Sequence, residues 1–372
     1  MSVAHPAELH PPPSAGAPAA ARRARLEAAQ HPVLAGPATA AVAIGDGEPG
    51  EALACVTLAN PYLRIDVAPQ LGGGLARFDW RCDGALTPVF RRCETVNALT
   101  DPNDLACYPL LPYSNRIGGG QFRFGGRDVT VPRNRASEPL PIHGDGWLAQ
   151  WQVANKERER VQLVLDRSDG APYAYRAALM YALDGPTLSV TLEIENAGHD
   201  ALPFGLGLHP FLARDAATEL SAPASGLWLS GDDWLPARHV PAPPAWQFGV
   251  AYPLPDQLVN HAFSGWSGRA AVVWPRRRLS LSISANADYY VLYTPPHEDF
   301  FCFEPVDHPI NAANLTGGAE ANGMTVLAPG ERLARRFEFT VEPMDVRATA
   351  SVHRPGDARG RRARRAASGE GA

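Results

Sequence analysis

Two histidines and one glutamate stand at positions that suit acid–base chemistry. His143 lies in the turn-rich stretch PIHGDGW and His209 in GLGLHPF, and apolar residues typical of strands adjoin both. Glu304 lies in the aromatic run FCFEP. Because an unpaired buried carboxylate is costly, this acid needs a partner or a catalytic task. A glutamate and a histidine that meet can accept and donate protons at the same pH, since each charge favours the other.

Each of these residues also has a structural interpretation. Both histidines suit buried positions with hydrogen bonds to backbone, and Glu304 suits a salt bridge with one of the arginines. Asp307 and His308 follow closely, so a metal site is another alternative. Pro305 and Pro309 disfavour it, because they prevent the helical turn that would bring a carboxylate and an imidazole onto one face.

Two further segments carry groups that suit sugar hydroxyls. Asn115 and Arg116 come just before a predicted hairpin and offer planar hydrogen-bond donors, although Arg116 also suits a simple ion pair. Asn260 lies in VNHAFSGW, where polar groups stand beside aromatic residues. Proteins often bind sugars with such a combination, but aromatic residues of a sheet protein more often belong to its core.

The elements that must position these groups are strands. Apolar residues alternate with polar ones at 63–67, on both sides of Gly125-Gly126, and on both sides of Asp184-Gly185. The chain also holds 34 Gly and 36 Pro in 372 residues, a load of turn formers that argues against a helical bundle. Antiparallel strands without intervening helices must bury one face against another sheet. The sequence therefore predicts an all-β fold, a large antiparallel β-sandwich.

The two ends of the chain differ from this body in composition. Residues 1–51 are rich in Ala and Pro, and residues 346–372 are rich in Arg, and neither segment has a periodic apolar face. We expect both to be disordered tails around one folded domain at 52–345.

Composition excludes several classes of function. The formal net charge of -5 argues against a nucleic-acid partner, which would require a surplus of cations. No apolar run approaches the roughly 18 residues of a membrane span, and the N-terminus lacks the apolar core of a signal peptide. Five cysteines without a C-x-x-C pair do not make a disulfide framework. We expect a cytoplasmic protein, monomeric or homodimeric.

The order of the motifs resembles that of a known family. The matching stretches are Asn115-Arg116-Ile117, His143-Gly144, Gly207-Leu208-His209-Pro210-Phe211, Glu304-Pro305 and the downstream Asn314. Together they are similar to the aldose 1-epimerase (galactose mutarotase) family, and the resemblance extends from Leu63 to about Phe339. It implies the galactose mutarotase-like supersandwich, which agrees with the fold that the alternation predicts.

The resemblance implies a role for each matching residue. Glu304 would be the general base that takes the proton of the anomeric hydroxyl, and His209 the acid that protonates the ring oxygen. The ring would open to the aldehyde and close again on the other carbonyl face, so that the α and β anomers interconvert. His143, Arg116 and Asn115 would bind the small-molecule sugar. The resemblance implies no metal and no organic cofactor.

One stretch departs from the family pattern and leaves the sugar open. Many members carry an Asp in an L-D-x-x-F-like stretch, whereas this chain has Asn260, which keeps hydrogen-bonding capacity but lacks the charge. Asp256 is near enough in sequence to take that role.

A hexose-6-phosphate 1-epimerase is an alternative that would need cations such as Arg276–Arg278 over the phosphate. A sugar-binding or regulatory protein without turnover is another, but it would not need both His209 and Glu304.

Overall fold

The computed structural model describes residues 52–344, and both predicted tails, 1–51 and 346–372, lie outside the described residues. The strands in this range are β1 (Val56–Ala59), β2 (Leu63–Ala68), β3 (Gly74–Cys82), β4 (Ala85–Pro88), β5 (Cys107–Leu110), β6 (Gln121–Phe124), β7 (Arg127–Thr130), β8 (Gln152–Lys156), β9 (Arg160–Arg167), β10 (Tyr175–Asp184), β11 (Thr187–Asn196), β12 (Leu202–Phe204), β13 (Gly207–Ala213), β14 (Glu219–Ser221), β15 (Gly226–Ser230), β16 (Pro236–Pro241), β17 (Tyr252–Pro253), β18 (Asn260–Ser264), β19 (Arg269–Trp274), β20 (Leu279–Ala285), β21 (Tyr289–Tyr293), β22 (Phe300–Val306), β23 (Thr325–Leu327) and β24 (Arg332–Pro343).

Helical structure is minor in the described part of the chain. One α-helix, α1, covers Gly318–Ala321. Short 3₁₀ turns lie at Pro102–Asp104, Gly118–Gly120, Gly146–Leu148, Pro244–Trp246 and Ala312–Asn314. No helix between residues 52 and 344 is long and apolar enough to cross a membrane.

Two large antiparallel sheets form the fold, which confirms the predicted β-sandwich. The larger sheet has 11 strands in the order β1-β2-β3-β5-β13-β22-β21-β18-β15-β16, with β4 paired to β3. The other has nine strands in the order β17-β14-β19-β20-β24-β11-β10-β9-β8. The alternating stretches around Gly125-Gly126 and Asp184-Gly185 form the hairpins β6–β7 and β10–β11, and the stretch at 63–67 lies in β2, which pairs with β1.

The main hydrophobic core combines residues from both large sheets. Leu208 and Phe301 of the larger sheet and Val190 and Phe339 of the smaller one belong to one cluster and are at most 1% exposed. Burying each such side chain stabilises the fold by roughly 1.5–3 kcal/mol. The aromatic residues Phe263 and Trp266 of the VNHAFSGW stretch lie in this core as well, in agreement with their structural interpretation.

The larger sheet carries a second, smaller apolar cluster on its other face. Side chains alternate between the faces of a strand, and along β13 Leu208 and Leu212 enter the main core while Phe211 belongs to the second cluster. Tyr108 and Val291, on other strands of the sheet, are members of the same second cluster. His209 shares the face of Phe211, so strand alternation separates it from the main core.

Candidate active site

Tyr108, His209 and Glu304 form a row across three neighbouring strands of the larger sheet. His209 on β13 pairs with Tyr108 on β5. On its other side β13 pairs with β22 through Gly207 and Val306, and this register places His209 opposite Glu304 two residues further along. Directly opposite residues of antiparallel strands point to the same face. Strand pairing therefore brings the predicted acid and base together.

The carboxyl group of Glu304 and the imidazole of His209 face each other. Their Oε1 and Nε2 atoms are 3.4 Å apart. Both residues are buried, with 2% of Glu304 and 8% of His209 exposed. Glu304 Oε2 and His209 Nδ1 have no hydrogen-bond partner within residues 52–344. Buried polar atoms are seldom left unpaired in folded proteins. The structural interpretation would give His209 a backbone partner and Glu304 an arginine partner, and the two unpaired atoms do not fit it.

Burial sets the protonation states of the pair. It raises the pKa of Glu304 to about 8, opposed in part by the positive charge of Arg116. It lowers the pKa of His209 to about 3, and the charge of Arg91 acts in the same direction. Burial therefore favours a protonated carboxyl group and a neutral imidazole. The sequence analysis predicts that each charge favours the other, whereas burial acts against both charges.

His143 meets the imidazole of His209 at a right angle, with ring centroids 5.2 Å apart. Its Nδ1 accepts a hydrogen bond of 3.1 Å from the backbone N–H of Asn115. Burial lowers the pKa of His143 well below its usual value, so the ring is neutral. Since Nδ1 is an acceptor, the ring proton lies on Nε2. His143 therefore offers an N–H donor.

A turn with positive φ angles holds His143 in place. His143 has a φ of 61° and the following Gly144 a φ of 68°. A Cβ atom at Gly144 would overlap the carbonyl oxygen of Leu111, so this position requires glycine. Asn134 fixes the turn from outside, because its Nδ2 donates to the carbonyl oxygens of Ile142 and Gly144.

Arg116 forms an ion pair that the sequence did not assign to a particular acid. Its Nε and Nη2 atoms both donate to Oε2 of Glu138, at 3.1 and 2.8 Å. The backbone of Arg116 is fixed by a bridge to Ile142 and by the N–H of Asn311, which donates to its carbonyl oxygen. Both partners of the ion pair line the same cavity as His209 and Glu304.

This cavity has a volume of about 630 Å³ and brings together most of the predicted site residues. The members from the predicted set are Asn115, Arg116, His143, His209, Asn260 and Glu304. Its size falls within the usual range for small-molecule sites. Asp256 is absent from the lining, and its side chain is fully exposed, with Oδ1 3.7 Å from Nη2 of Arg214. We therefore remove Asp256 from the candidate sugar-binding residues, because its loop carries it away from the cavity.

Several lining residues escaped the sequence analysis. The aromatic ones are Tyr108, Trp147, Phe211, Trp234, Tyr293 and Phe300, and the charged ones are Arg91, Arg135 and Glu138. Phe211 could have been found, because it stands two residues after His209 on one strand. Tyr108 needed the strand pairing, and Glu138 lies in an irregular segment without any recognisable motif.

The metal alternative receives no support from the residues around Glu304. His308 uses both ring nitrogens elsewhere, since Nε2 accepts from the N–H of Ser114 and Nδ1 bonds the carbonyl oxygen of Pro309. Asp307 accepts hydrogen bonds from Arg335 and from the backbone of Leu206. These two residues act as structural ties.

Comparisons with known proteins identify the family of the chain. A family model described as aldose 1-epimerase matches residues 54–340. YphB, an uncharacterized protein of Escherichia coli K12, is 32% identical over 296 residues, which cover 77% of this chain and 98% of that protein.

Solved structures share the fold. A crystal structure from Escherichia coli K12, 30% identical, has a TM-score of 0.72 and covers 78% of this chain and 99% of its own. Galactose 1-epimerase from Lactobacillus acidophilus NCFM, 19% identical, has a TM-score of 0.63 over 82% of this chain and 98% of its own. A galactose mutarotase-like protein from Clostridium acetobutylicum, 18% identical, has a TM-score of 0.67 over 78% and 95%. The chain belongs to the aldose 1-epimerase family.

Proposed function

We propose that this protein is an isomerase that interconverts the α and β anomers of a free aldose. The observation that carries the proposal is the buried pair of His209 and Glu304, which face each other on the wall of a cavity of small-molecule size. A protein that only binds sugar has no need of an acid and a base side by side. Opening a hemiacetal requires both, because one oxygen loses a proton while another gains one.

In the proposed reaction Glu304 begins ionised and His209 begins protonated. The carboxylate takes the proton of the anomeric hydroxyl, and the imidazolium gives its proton to the ring oxygen. The bond between the anomeric carbon and the ring oxygen breaks, and the electrons of the O–H bond form the aldehyde carbonyl. After rotation about the bond from C1 to C2, the two proton transfers run in reverse and close the ring on the other carbonyl face. No metal or cofactor takes part in these steps.

The effect of burial on the two pKa values favours the middle of this sequence. Ring opening leaves Glu304 protonated and His209 neutral, and burial favours this combination. The starting state differs from it by one proton moved between Nε2 and Oε1, which are 3.4 Å apart. The positive charge of Arg116, which lowers the pKa of Glu304, assists formation of the ionised base.

The other lining groups supply the contacts that a sugar needs. The Nε2–H of His143 can donate to a ring or hydroxyl oxygen, and the amide of Asn260 can donate and accept. Rings such as Phe211 and Tyr293 offer apolar surface for the C–H face of the sugar. We therefore assign His143, Asn115, Arg116 and Asn260 to substrate binding.

A phosphorylated aldose is the second candidate substrate. One observation favours it: Arg91 lines the cavity and donates to two backbone carbonyl oxygens, with no carboxylate within 4.0 Å among the described residues. The other two arginines of the cavity, Arg116 and Arg135, are each paired with an acid. Arg276–Arg278 do not line the cavity. Because only one guanidinium is free of a carboxylate, the uncharged aldose is the better-supported substrate.

Polarimetry tests the proposal. The optical rotation of freshly dissolved α-glucose, α-galactose and L-arabinose should reach its equilibrium value faster with the protein than without it. Measurement of anomer exchange by NMR with glucose 6-phosphate tests the second candidate. Spontaneous rates for every sugar in the presence of folded protein would contradict the proposed activity. Acceleration confined to glucose 6-phosphate would show that the substrate is a phosphorylated aldose instead of a free one.

The cytoplasm is the location we propose. All five cysteines, at 55, 82, 93, 107 and 302, are free thiols, and thiols persist in a reducing compartment. Fractionation of the native host with a cytosolic marker tests this.

A further inference from the structure

The ion pair of Arg116 and Glu138 has one free atom on each side. Nε and Nη2 of Arg116 both donate to Oε2 of Glu138. Nη1 of Arg116 and Oε1 of Glu138 form no hydrogen bond with the described part of the chain. The two side chains are 14% and 25% exposed and both line the cavity. The pair therefore brings to the cavity lining a donor and an acceptor that have no partner among the described residues.

We propose that Glu138 binds a hydroxyl of the substrate through Oε1, beside Arg116, and thereby determines which uncharged aldose is accepted. This inference rests on the proposed function. A hydroxyl group both donates and accepts, so one hydroxyl, or two on adjacent carbons, can donate to Oε1 and accept from Nη1. Hydrogen bonds to a charged group are about twice as strong as neutral ones, so loss of the bond to the carboxylate should weaken sugar binding measurably.

The distribution of acids in the cavity supports this role. Glu304 and Glu138 are the carboxylic acids of its lining. Burial raises the pKa of Glu304, and the proposed reaction uses this group for proton transfer. Asn260, on β18, lines the cavity with an amide and has no charge. Glu138 is thus the acid of the lining that is available to hold a hydroxyl.

A second acid–arginine pair on the same segment gives a matched control. Arg135 lies three residues before Glu138, and its Nη1 donates to Oδ1 of Asp101 at 2.8 Å. Asp101 does not line the cavity. Both pairs tie the segment at 131–141 to the rest of the protein, so Asp101→Asn removes a tie without removing an acceptor from the cavity.

The experiment compares Glu138→Gln, Asp101→Asn and wild type on glucose and its 2-, 3-, 4- and 6-deoxy analogues. We expect Glu138→Gln to raise KM for glucose by about 10- to 100-fold, the loss typical of a hydrogen bond to a charged group, with kcat changed less than about 3-fold. For the analogue that lacks the bound hydroxyl, Glu138→Gln and wild type should have the same KM. Asp101→Asn should affect all five sugars equally or not at all.

Two results would overturn the inference. One is an equal rise of KM for all five sugars in Glu138→Gln, which would assign Glu138 to anchoring the segment. The other is an unchanged KM for glucose. Calorimetric Kd values for the same sugars separate this inference from the proposed function. If the Kd values show the selective loss while no sugar turns over, the inference stands and the proposed activity fails; absence of all binding contradicts both.

Discussion

The phenol ring of Tyr108 lies almost parallel to the imidazole of His209, with centroids 4.6 Å apart and planes inclined by 28°. Phe211 contacts the same imidazole at 4.7 Å and 27°. The Tyr108 hydroxyl donates to Oδ1 of Asn103 at 3.0 Å, which fixes the phenol in turn. These rings restrict the plane of the imidazole, whose Nε2 lies 3.4 Å from Glu304 Oε1. The position of the proposed acid therefore depends on residues that carry no proton in the reaction.

We predict that Tyr108→Leu lowers kcat by about 10-fold or more, because a misplaced catalytic group loses the benefit of orientation. Tyr108→Phe keeps the ring and should lose less than about 3-fold. Progress curves from polarimetry give kcat and KM, and thermal melts confirm that both variants fold. Equal losses in Phe and Leu variants would show that the hydroxyl, rather than the ring, matters.

Removal of the proposed base or acid should abolish most of the activity. Each proton transfer is worth about 100- to 10,000-fold, so Glu304→Gln and His209→Asn should each lower kcat by at least about 100-fold. Circular dichroism should show the wild-type fold, because both side chains lie on the face of the sheet opposite the main core and each replacement is close in size to the residue it replaces. Native-rate mutarotation by Glu304→Gln would exclude this residue as the base.

The positions of strands and turns along the chain were predictable, because the alternation of apolar and polar residues is a local property of the sequence. Leu179 to Leu183 and Leu188 to Ile194 alternate on both sides of Asp184-Gly185, and they form β10 and β11 with that turn between them. The inward-facing positions also followed from the pattern, since side chains on one face of a strand recur every two residues.

Properties of the site that depend on contacts between distant parts of the chain could not be predicted as well from the sequence. His209 and Glu304 were found from local composition and motif order, but their opposition depends on the register of β13 and β22. Glu138 had no signal, because its contact with Arg116 arises from the path of an irregular segment. The depth of burial, which shifts both pKa values, cannot be read from neighbouring residues.

The pH dependence of stability tests the protonation states independently of activity. Folding raises the pKa of Glu304 from 4.5 to about 8 and lowers that of His209 from 6.5 to about 3. Between pH 4.5 and 6.5 the pair carries one proton in both the folded and the unfolded chain, so it contributes no slope. Above pH 6.5 the folded chain keeps one proton on Glu304, whereas the unfolded chain has none on either residue. Below pH 4.5 the unfolded chain carries a proton on both residues, whereas the folded chain carries one on Glu304 alone. Stability should fall in both directions from this plateau.

Urea denaturation of wild type and Glu304→Gln at pH 6.5 and pH 8 measures the upper limb. One retained proton corresponds to about 1.4 kcal/mol per pH unit. The free energy of unfolding of wild type relative to the variant should therefore fall by roughly 2 kcal/mol over this interval. The difference between the two proteins cancels the titration of all other groups. A constant difference would mean that Glu304 is already ionised in the folded protein.

Substitution of Gly144 by Ala tests the turn that carries His143. The new Cβ would overlap the carbonyl oxygen of Leu111, and the φ of 68° disfavours any side chain. Gly126 is the matched control, because its φ is 78° but no atom lies within 4 Å of the corresponding Cβ. Strain from the φ angle alone costs about 1–2 kcal/mol, so Gly126→Ala should lose about that much in urea denaturation. Gly144→Ala should lose more and also raise KM, since the overlap moves the backbone beside His143. Equal losses in the two variants would show that crowding against Leu111 does not hold this turn.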